Sequence, residues 1–205
     1  MRCSTLKGIE HFQNLRVLIC IDCGISTLDV SKNTRLERLQ CWHNDLKKLD
    51  VRKLTALKEL DVGDNQLTAI DVTKNTGLDW LRVGPNKLTK LDVRKNPRLT
   101  QLRCPGNRLT QLDVSKNTKL EVLRCNVNRL TALDVTKNAK LEQLRLFENK
   151  VKKLDISRNA KLTHLNCYGN QIAALDTGKN TRLIQLNCND NKLKSLDVSK
   201  FDVSK

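Results

Sequence analysis

Aromatic side chains make up only 3% of the sequence: two Trp, one Tyr and three Phe. A core for 205 residues must therefore rest on aliphatic side chains. Histidine is as scarce, with His11, His43 and His164 alone. In the repeat arrangement derived below, the last two lie about 29 Å apart at the usual strand spacing. They share no site, and no serine, cysteine or carboxylate recurs beside them. No glycine-rich loop is placed to cradle a phosphate. These absences predict a protein that is not an enzyme and uses no cofactor. No apolar run is long enough to span a bilayer, so no membrane insertion is expected. The opening residues, MRCSTLKGIEHF, lack an apolar signal region. A cytoplasmic location is expected if the sequence is complete as given, and a secreted or cell-surface one if an N-terminal signal was removed.

What is present is leucine at a fixed interval. Leu or Ile opens an LDV-type segment at Leu28, Leu49, Ile70, Leu91, Leu112, Leu133, Leu154, Leu175 and Leu196, each 21 residues from the last. A period of this length means a solenoid in which each repeat is one turn of chain stacked on its neighbours. An unbroken repeat leaves no linker, so one domain is expected over 1–205. Residues 1–14 form a lead-in cap, 15–200 hold about nine repeats, and 201–205 are a C-terminal tail. Phe12, standing where later repeats have Asn, is expected to cover the first core face. Phe201 also replaces an Asn and reads as an improvised lid or a truncation point.

Within each repeat the pattern is L-x-x-L-x-C-x-x-N-x-L. The alternation Leu39-x-Cys41 marks a strand with one buried face. The stacked Asn44, Asn65, Asn86 and their successors are placed to satisfy backbone groups of adjacent rungs. The second half of each repeat echoes the first, Leu46-x-x-Leu49-x-Val51 against Leu36-x-x-Leu39-x-Cys41. Two short strands per turn and two parallel sheets follow, with little or no helix.

Eight cysteines would suggest disulfides in a secreted chain. Six of them, Cys20, Cys41, Cys104, Cys125, Cys167 and Cys188, share the inward strand column with Val62, Val83 and Leu146, and so read as small buried hydrophobes. Cys20, Cys23, Cys41 and His43 carry zinc-type chemistry, but the first and third point inward and His43 outward, so no metal is expected. Cys23 occupies the Asn column, where a thiol makes a weaker version of the same turn contact. The Asp column from Asp29 to Asp197 is followed three residues on by Lys or Arg, which reads as a solvated outer face of matched charge. A calcium ladder is the alternative.

The pattern LxxLxCxxNxLTxLDVSKNT resembles bacterial leucine-rich repeats of the 21-residue nested subclass called IRREKO, over roughly residues 15–200. LKGIEHFQNL resembles the lead-in of such proteins. The resemblance implies a curved, right-handed leucine-rich-repeat coil that binds a partner on its concave, strand-lined face.

Repeats differ most at the outward positions of the first strand, where stacking dictates least. Trp42, Trp80, Phe147 and Tyr168 lie there, and an exposed aromatic cluster marks a contact surface unless each ring only packs on a neighbour. Arg82, Arg103, Arg124 and Arg145 fill one column at a spacing of about 4.8 Å. Like charges so placed cost stability unless anions meet them, and the guanidinium fork suits carboxylates. Asp22, Asp45, Glu59, Asp61 and Asp64 make the first rungs acidic, which suits a partner with its own charge pattern. The net charge of +16 resides mostly on turns and edges. The sequence thus predicts a protein- or peptide-recognition module, expected to be a monomer, with these eight residues as partner contacts. The alternatives are a binder of acidic polysaccharide, other carbohydrate or nucleic acid, and a structural or engineered scaffold without a ligand.

Overall fold

The computed structural model describes residues 4–197. The C-terminal tail 201–205, including Phe201, lies outside them. Nine three-residue strands recur once per turn: β1 (Val17–Ile19), β2 (Arg38–Gln40), β3 (Glu59–Asp61), β4 (Trp80–Arg82), β5 (Gln101–Arg103), β6 (Val122–Arg124), β7 (Gln143–Arg145), β8 (His164–Asn166) and β9 (Gln185–Asn187). They form one parallel sheet in sequence order. The register pairs identical repeat positions, Leu39 with Leu60 and Leu60 with Leu81. The only helix among the described residues is a single 3-10 turn, Ile9–His11. This is a parallel β-solenoid of leucine-rich-repeat type.

Period-2 patterning produces the strands: in β2 and β4 to β8 the central Leu is buried and its two neighbours are half-buried. Behind the sheet the leucine columns form one continuous core, fully buried from Leu36, Leu39 and Leu46 through Leu162, Leu165 and Ile172, and partly buried at Leu183, Leu186 and Leu193. Cys41, Cys104, Cys125 and Cys167 fill the same core with no exposed surface. The seven described cysteines are free thiols. Burial pushes the Cys104 and Cys167 thiols up to about 12, which keeps them protonated and inert.

Two asparagine ladders fasten the rungs. On the strand side, Asn86 Nδ2 donates to Val62 O and Val83 O, each at 2.9 Å, and Asn86 Oδ1 accepts from Leu67 N at 2.8 Å. One side chain thereby ties two turns of chain. On the opposite side, Asn96 Nδ2 donates to Val72 O at 3.0 Å and Asn75 O at 2.9 Å. There the Oδ1 atoms of Asn33, Asn75, Asn96, Asn117, Asn138, Asn159 and Asn180 are buried without a partner. Cys23, in the strand-side column, donates from Sγ to Ile21 O at 3.2 Å, the thiol form of the bond Asn44 makes to Trp42 O.

Two expectations are corrected. The LDV segments form no second sheet among the described residues: Leu91–Asp92–Val93 and its equivalents run without strand pairing. The reason lies in the Asp column. Each carboxylate accepts the N–H two residues on, as Asp92 Oδ1 does from Arg94 N at 3.0 Å, and this turns the chain out of strand geometry. Links between these rungs run through the Asn side chains instead. Phe12, for its part, is 62% exposed and covers nothing; Leu6, Ile9 and Leu15 pack on the first core face.

Candidate recognition surface

The solvent side of the sheet is built from the residues flanking each buried Leu. The first rung is apolar, with Val17 and Ile19 exposed. On the second and third, Arg38 grips Glu59 through both carboxylate oxygens, at 2.7 and 2.8 Å. From the fourth rung on, the middle column carries Arg82, Arg103, Arg124 and Arg145, paired in register on adjacent strands.

The arrangement brings both tryptophans onto the arginines. The Arg82 guanidinium lies 5.5 Å from the Trp42 ring centroid, and that of Arg103 lies 5.7 Å from Trp80. Each contact contributes about 0.5–1 kcal/mol at such a half-exposed position. Arg82 reaches Trp42, two rungs away, only because residue 63 is glycine. A Cβ there would stand 3.0 Å from Arg82 Nε and 2.6 Å from Gly84 O. Gln101 Oε1 accepts from Trp80 Nε1 at 3.1 Å and from Arg103 Nη2 at 3.0 Å, which fixes the second pair.

Asp61 is the residue sequence reasoning undervalued. It is only 3% exposed, accepts from Gly63 N at 3.0 Å, and faces Arg82 Nη1 at 3.4 Å. Burial raises its pKa, against the lowering effects of Gly63 N and Arg82. Tyr168 N and Asn189 N make the same bond to Asn166 and Asn187, so the signal was the lone carboxylate in a column that otherwise carries arginine and amides on the later rungs. The side chains of Arg124 and Arg145 make no hydrogen bond or ion pair among the described residues, and the Nε atoms of Arg103 and Arg124 are buried unpaired. Burial lowers the pKa of both Arg103 and Arg124; the other arginines of the column add to it, Arg82 first for Arg103 and Arg103 first for Arg124.

Phe147 and Tyr168 lie on the seventh and eighth rungs, half-buried, apart from the tryptophan pair. A hydrogen bond to Asp190 raises the Tyr168 pKa. The structure therefore groups Trp42, Trp80, Arg82 and Arg103 in contact, extends the column through Arg124 and Arg145, and sets Phe147 and Tyr168 at its far end.

At the sheet's edge a column of left-handed residues follows, including Asp22, His43, Asp64, Val127, Glu148 and Asp190, all with φ between 49° and 54° except His43 at 57°. His43 bridges Asp64 through Nδ1 and Asp22 through Nε2, the latter at 3.6 Å. On the opposite side, the Asp carboxylates are held by backbone N–H groups, not by the Lys three residues on. The ion pairs on that side run two residues ahead, Asp50 to Arg52 at 2.7 Å and Asp92 to Arg94 at 2.8 Å. The bonds from Arg52 and Arg94 hold Asp50 and Asp92 down to about 2.

Residues 34–75 match the family model described as leucine rich repeats (two copies). No curated protein sequence matches the chain. Among solved structures, the functional domain of InlJ from Listeria monocytogenes, which includes a cysteine ladder, is 34% identical with a TM-score of 0.84, over 97% of this chain and 49% of that one. A leucine-rich-repeat protein of Leptospira interrogans is 25% identical with a TM-score of 0.87, over 96% and 54%. The chain thus spans about half the length of these two structures. The internalin InlF of Listeria monocytogenes, 22% identical with a TM-score of 0.82 over 95% and 68%, shares the fold. The chain folds as a leucine-rich-repeat solenoid and is similar to bacterial proteins of that kind.

Proposed function

We propose that the protein is a non-enzymatic recognition module, acting as a monomer, that binds a protein or peptide bearing acidic groups on the solvent side of its sheet. One observation carries the reading. Four arginines stand in register on consecutive strands, and the one carboxylate in direct contact with them, Asp61, meets Arg82 alone. A column of like charge lowers stability, so a surface that keeps it is suited to an anionic ligand. Arg82, Arg103, Arg124 and Arg145 take the partner's carboxylates, and Trp42, Trp80, Phe147 and Tyr168 supply apolar contact around them. The similarity to internalins and to other leucine-rich-repeat proteins fits this reading without naming a partner.

A second reading has its own support. Arg98, Lys119, Lys140, Lys161 and Arg182 share one exposed turn column, suited to loose binding of an acidic polysaccharide or nucleic acid. The two are separated by an Arg103→Glu/Arg124→Glu variant. Wild type and variant are tested against a host-protein extract with cross-linking, and against heparin, each at two salt concentrations. Loss of a specific cross-linked partner with heparin binding intact is expected. If no partner is found and heparin binding is unchanged by the substitutions, the arginine column has no binding role.

A further inference from the structure

On the face away from the sheet, a groove opens where the lead-in segment meets the first two turns. Its origin is a slip in register. Thr5 pairs with Thr27, whereas Asn33 Nδ2 reaches Ile9 O as Asn96 Nδ2 reaches Val72 O, which sets Ile9 against Val30. Between those two points the lead-in holds one residue more than the turn beside it. The surplus is absorbed at Gly8, whose φ of 94° costs glycine little. The bulged chain stands off the coil there. Leu28 is left half-buried, while Leu49 and its equivalents through Leu175 are only 5–9% exposed.

The groove has a volume of about 720 Å³, inside the range of about 300–1,000 Å³ usual for small-molecule sites. Leu6, Ile9, Leu28 and Leu49 give it an apolar floor. Lys7 borders it from the lead-in, and Lys47 and Lys48 from the second turn. None of the three lysines makes an ion pair among the described residues. The carboxylates on the rim, by contrast, are already engaged. Glu10 accepts from Gly8 N at 3.0 Å, Asp29 from Ser31 N at 2.9 Å, and Asp50 from Arg52 Nη2 at 2.7 Å. An apolar floor beside unneutralised cations suits a ligand with an aliphatic chain and an anionic end.

Length narrows the class. Leu6, Leu28 and Leu49 come from successive turns, a span of about 10 Å at about 4.8 Å per turn. A saturated chain advances about 1.2 Å per bond, so about eight to ten carbons cover the floor. We propose that this groove binds a straight-chain carboxylate of that length, its chain across Leu28 and its head on Lys47 and Lys48. The arginine column lies on the other face of the coil, so this site and the recognition surface stand or fall separately.

The test is calorimetric titration with hexanoate, octanoate and decanoate below micelle formation, with octyltrimethylammonium as the cationic counterpart. A fully buried methylene is worth roughly fourfold in affinity, and an open groove covers each only in part. Decanoate is expected to bind at least about tenfold tighter than hexanoate, and the cation is not expected to bind. Methyl resonances of Leu6, Ile9, Leu28 and Leu49 are expected to shift on binding. Lys47→Glu/Lys48→Glu is expected to weaken decanoate about tenfold. Lys152→Glu/Lys153→Glu makes the same charge change at the same repeat positions, far from the groove, and is expected to match wild type. Deletion of Lys7, which removes the surplus residue, is expected to abolish binding. Thermal melting confirms that each variant folds.

Absence of carboxylate binding, affinity independent of chain length, methyl shifts confined to other residues, or equal losses in the two lysine variants would overturn the proposal. If deletion of Lys7 prevents folding, the two lysine variants and the methyl shifts decide it.

Discussion

Asn138 and Asn149 lie on the same turn of the solenoid, one in each asparagine ladder, and their environments differ most at Oδ1. Asn149 Nδ2 serves Cys125 O at 3.1 Å and Leu146 O at 3.0 Å, and its Oδ1 accepts from Leu130 N at 2.9 Å. Asn138 Nδ2 serves Val114 O at 3.1 Å and Asn117 O at 2.9 Å, but its Oδ1 is buried with no donor. Truncating Asn149 to Ala strands the Leu130 N–H and removes one of two bonds at each carbonyl, which Asn128 Nδ2 and Asn170 Nδ2 still serve, so about 2–3 kcal/mol in all. Truncating Asn138 to Ala strands neither carbonyl, since Asn117 N and Leu120 N still donate to them, and removes an oxygen whose unpaired burial already costs about 1 kcal/mol, leaving a net loss of about 0–1 kcal/mol. The gap of about 2 kcal/mol corresponds to roughly 4–8 °C in melting temperature for a chain of this size. Both positions sit in the interior of the stack, so end effects do not separate them. Thermal unfolding of the two variants in one buffer is the assay. Equal losses, or a larger loss at Asn138, would refute the reasoning and show that the Oδ1 of that ladder is satisfied.

Val127 holds φ at 54° although it is β-branched and 41% exposed. That conformation costs a non-glycine residue about 1–2 kcal/mol. Val127→Gly is therefore expected to raise the melting temperature by about 2–4 °C after the extra chain entropy of glycine is subtracted; a drop would show that its side chain contributes packing. Acid stability follows from the Asp column. Asp50 and Asp92 are held at about 2 in the folded state, against about 3.9 unfolded. A depressed carboxylate stabilises the fold above its unfolded pKa and loses that contribution as pH falls through its folded one. The melting temperature should hold steady down to about pH 4 and drop towards pH 2. The Asp50→Asn/Asp92→Asn variant should show a shallower drop. Phe12→Ser should leave stability within about 0.5 kcal/mol of wild type, while Ile9→Ser should lower it measurably, because only the second side chain packs on the core.

The sheet and core could be read from sequence because both rest on periodicity. Leucine every 21 residues fixes the rung, and alternation within Leu39-x-Cys41 fixes which side is buried. The second sheet could not, because Leu91-Asp92-Val93 has the alternation of a strand while Asp92 captures the very N–H that would prolong it. Phe12 misled for a similar reason: hydrophobic identity suggested burial, but its column belongs to turn asparagines whose side chains are buried through bonds to backbone carbonyls of the neighbouring rung, which phenylalanine cannot make; only its carbonyl keeps the ladder role, accepting from Asn33 Nδ2 at 3.0 Å. At the binding surface the columns were legible and the contacts were not. Arg82 and Trp42 lie two rungs apart, and nothing in column order says they touch. Their contact depends on the missing side chain at Gly63.

That contact also divides the arginine column into two halves with different work to do. Arg82 and Arg103 are already held, by Trp42 and Asp61 in one case and by Trp80 and Gln101 in the other. A ligand that meets them loses little further side-chain freedom, which for arginine is worth up to about 2 kcal/mol. Arg124 and Arg145 have no such fixtures, and with Asp61 remote from them they carry the larger uncompensated charge. The held pair is thus suited to setting register, and the unheld pair to supplying attraction. Arg124→Gln and Arg145→Gln should accordingly slow the association of an acidic partner and flatten its salt dependence. Trp80→Leu, which loosens Arg103 without changing any charge, should instead speed dissociation and leave the salt dependence as it was. Stopped-flow measurements at two salt concentrations distinguish these effects. If Trp80→Leu alters the association rate and its salt dependence as strongly as Arg124→Gln does, the column works as a single electrostatic unit and the division is wrong.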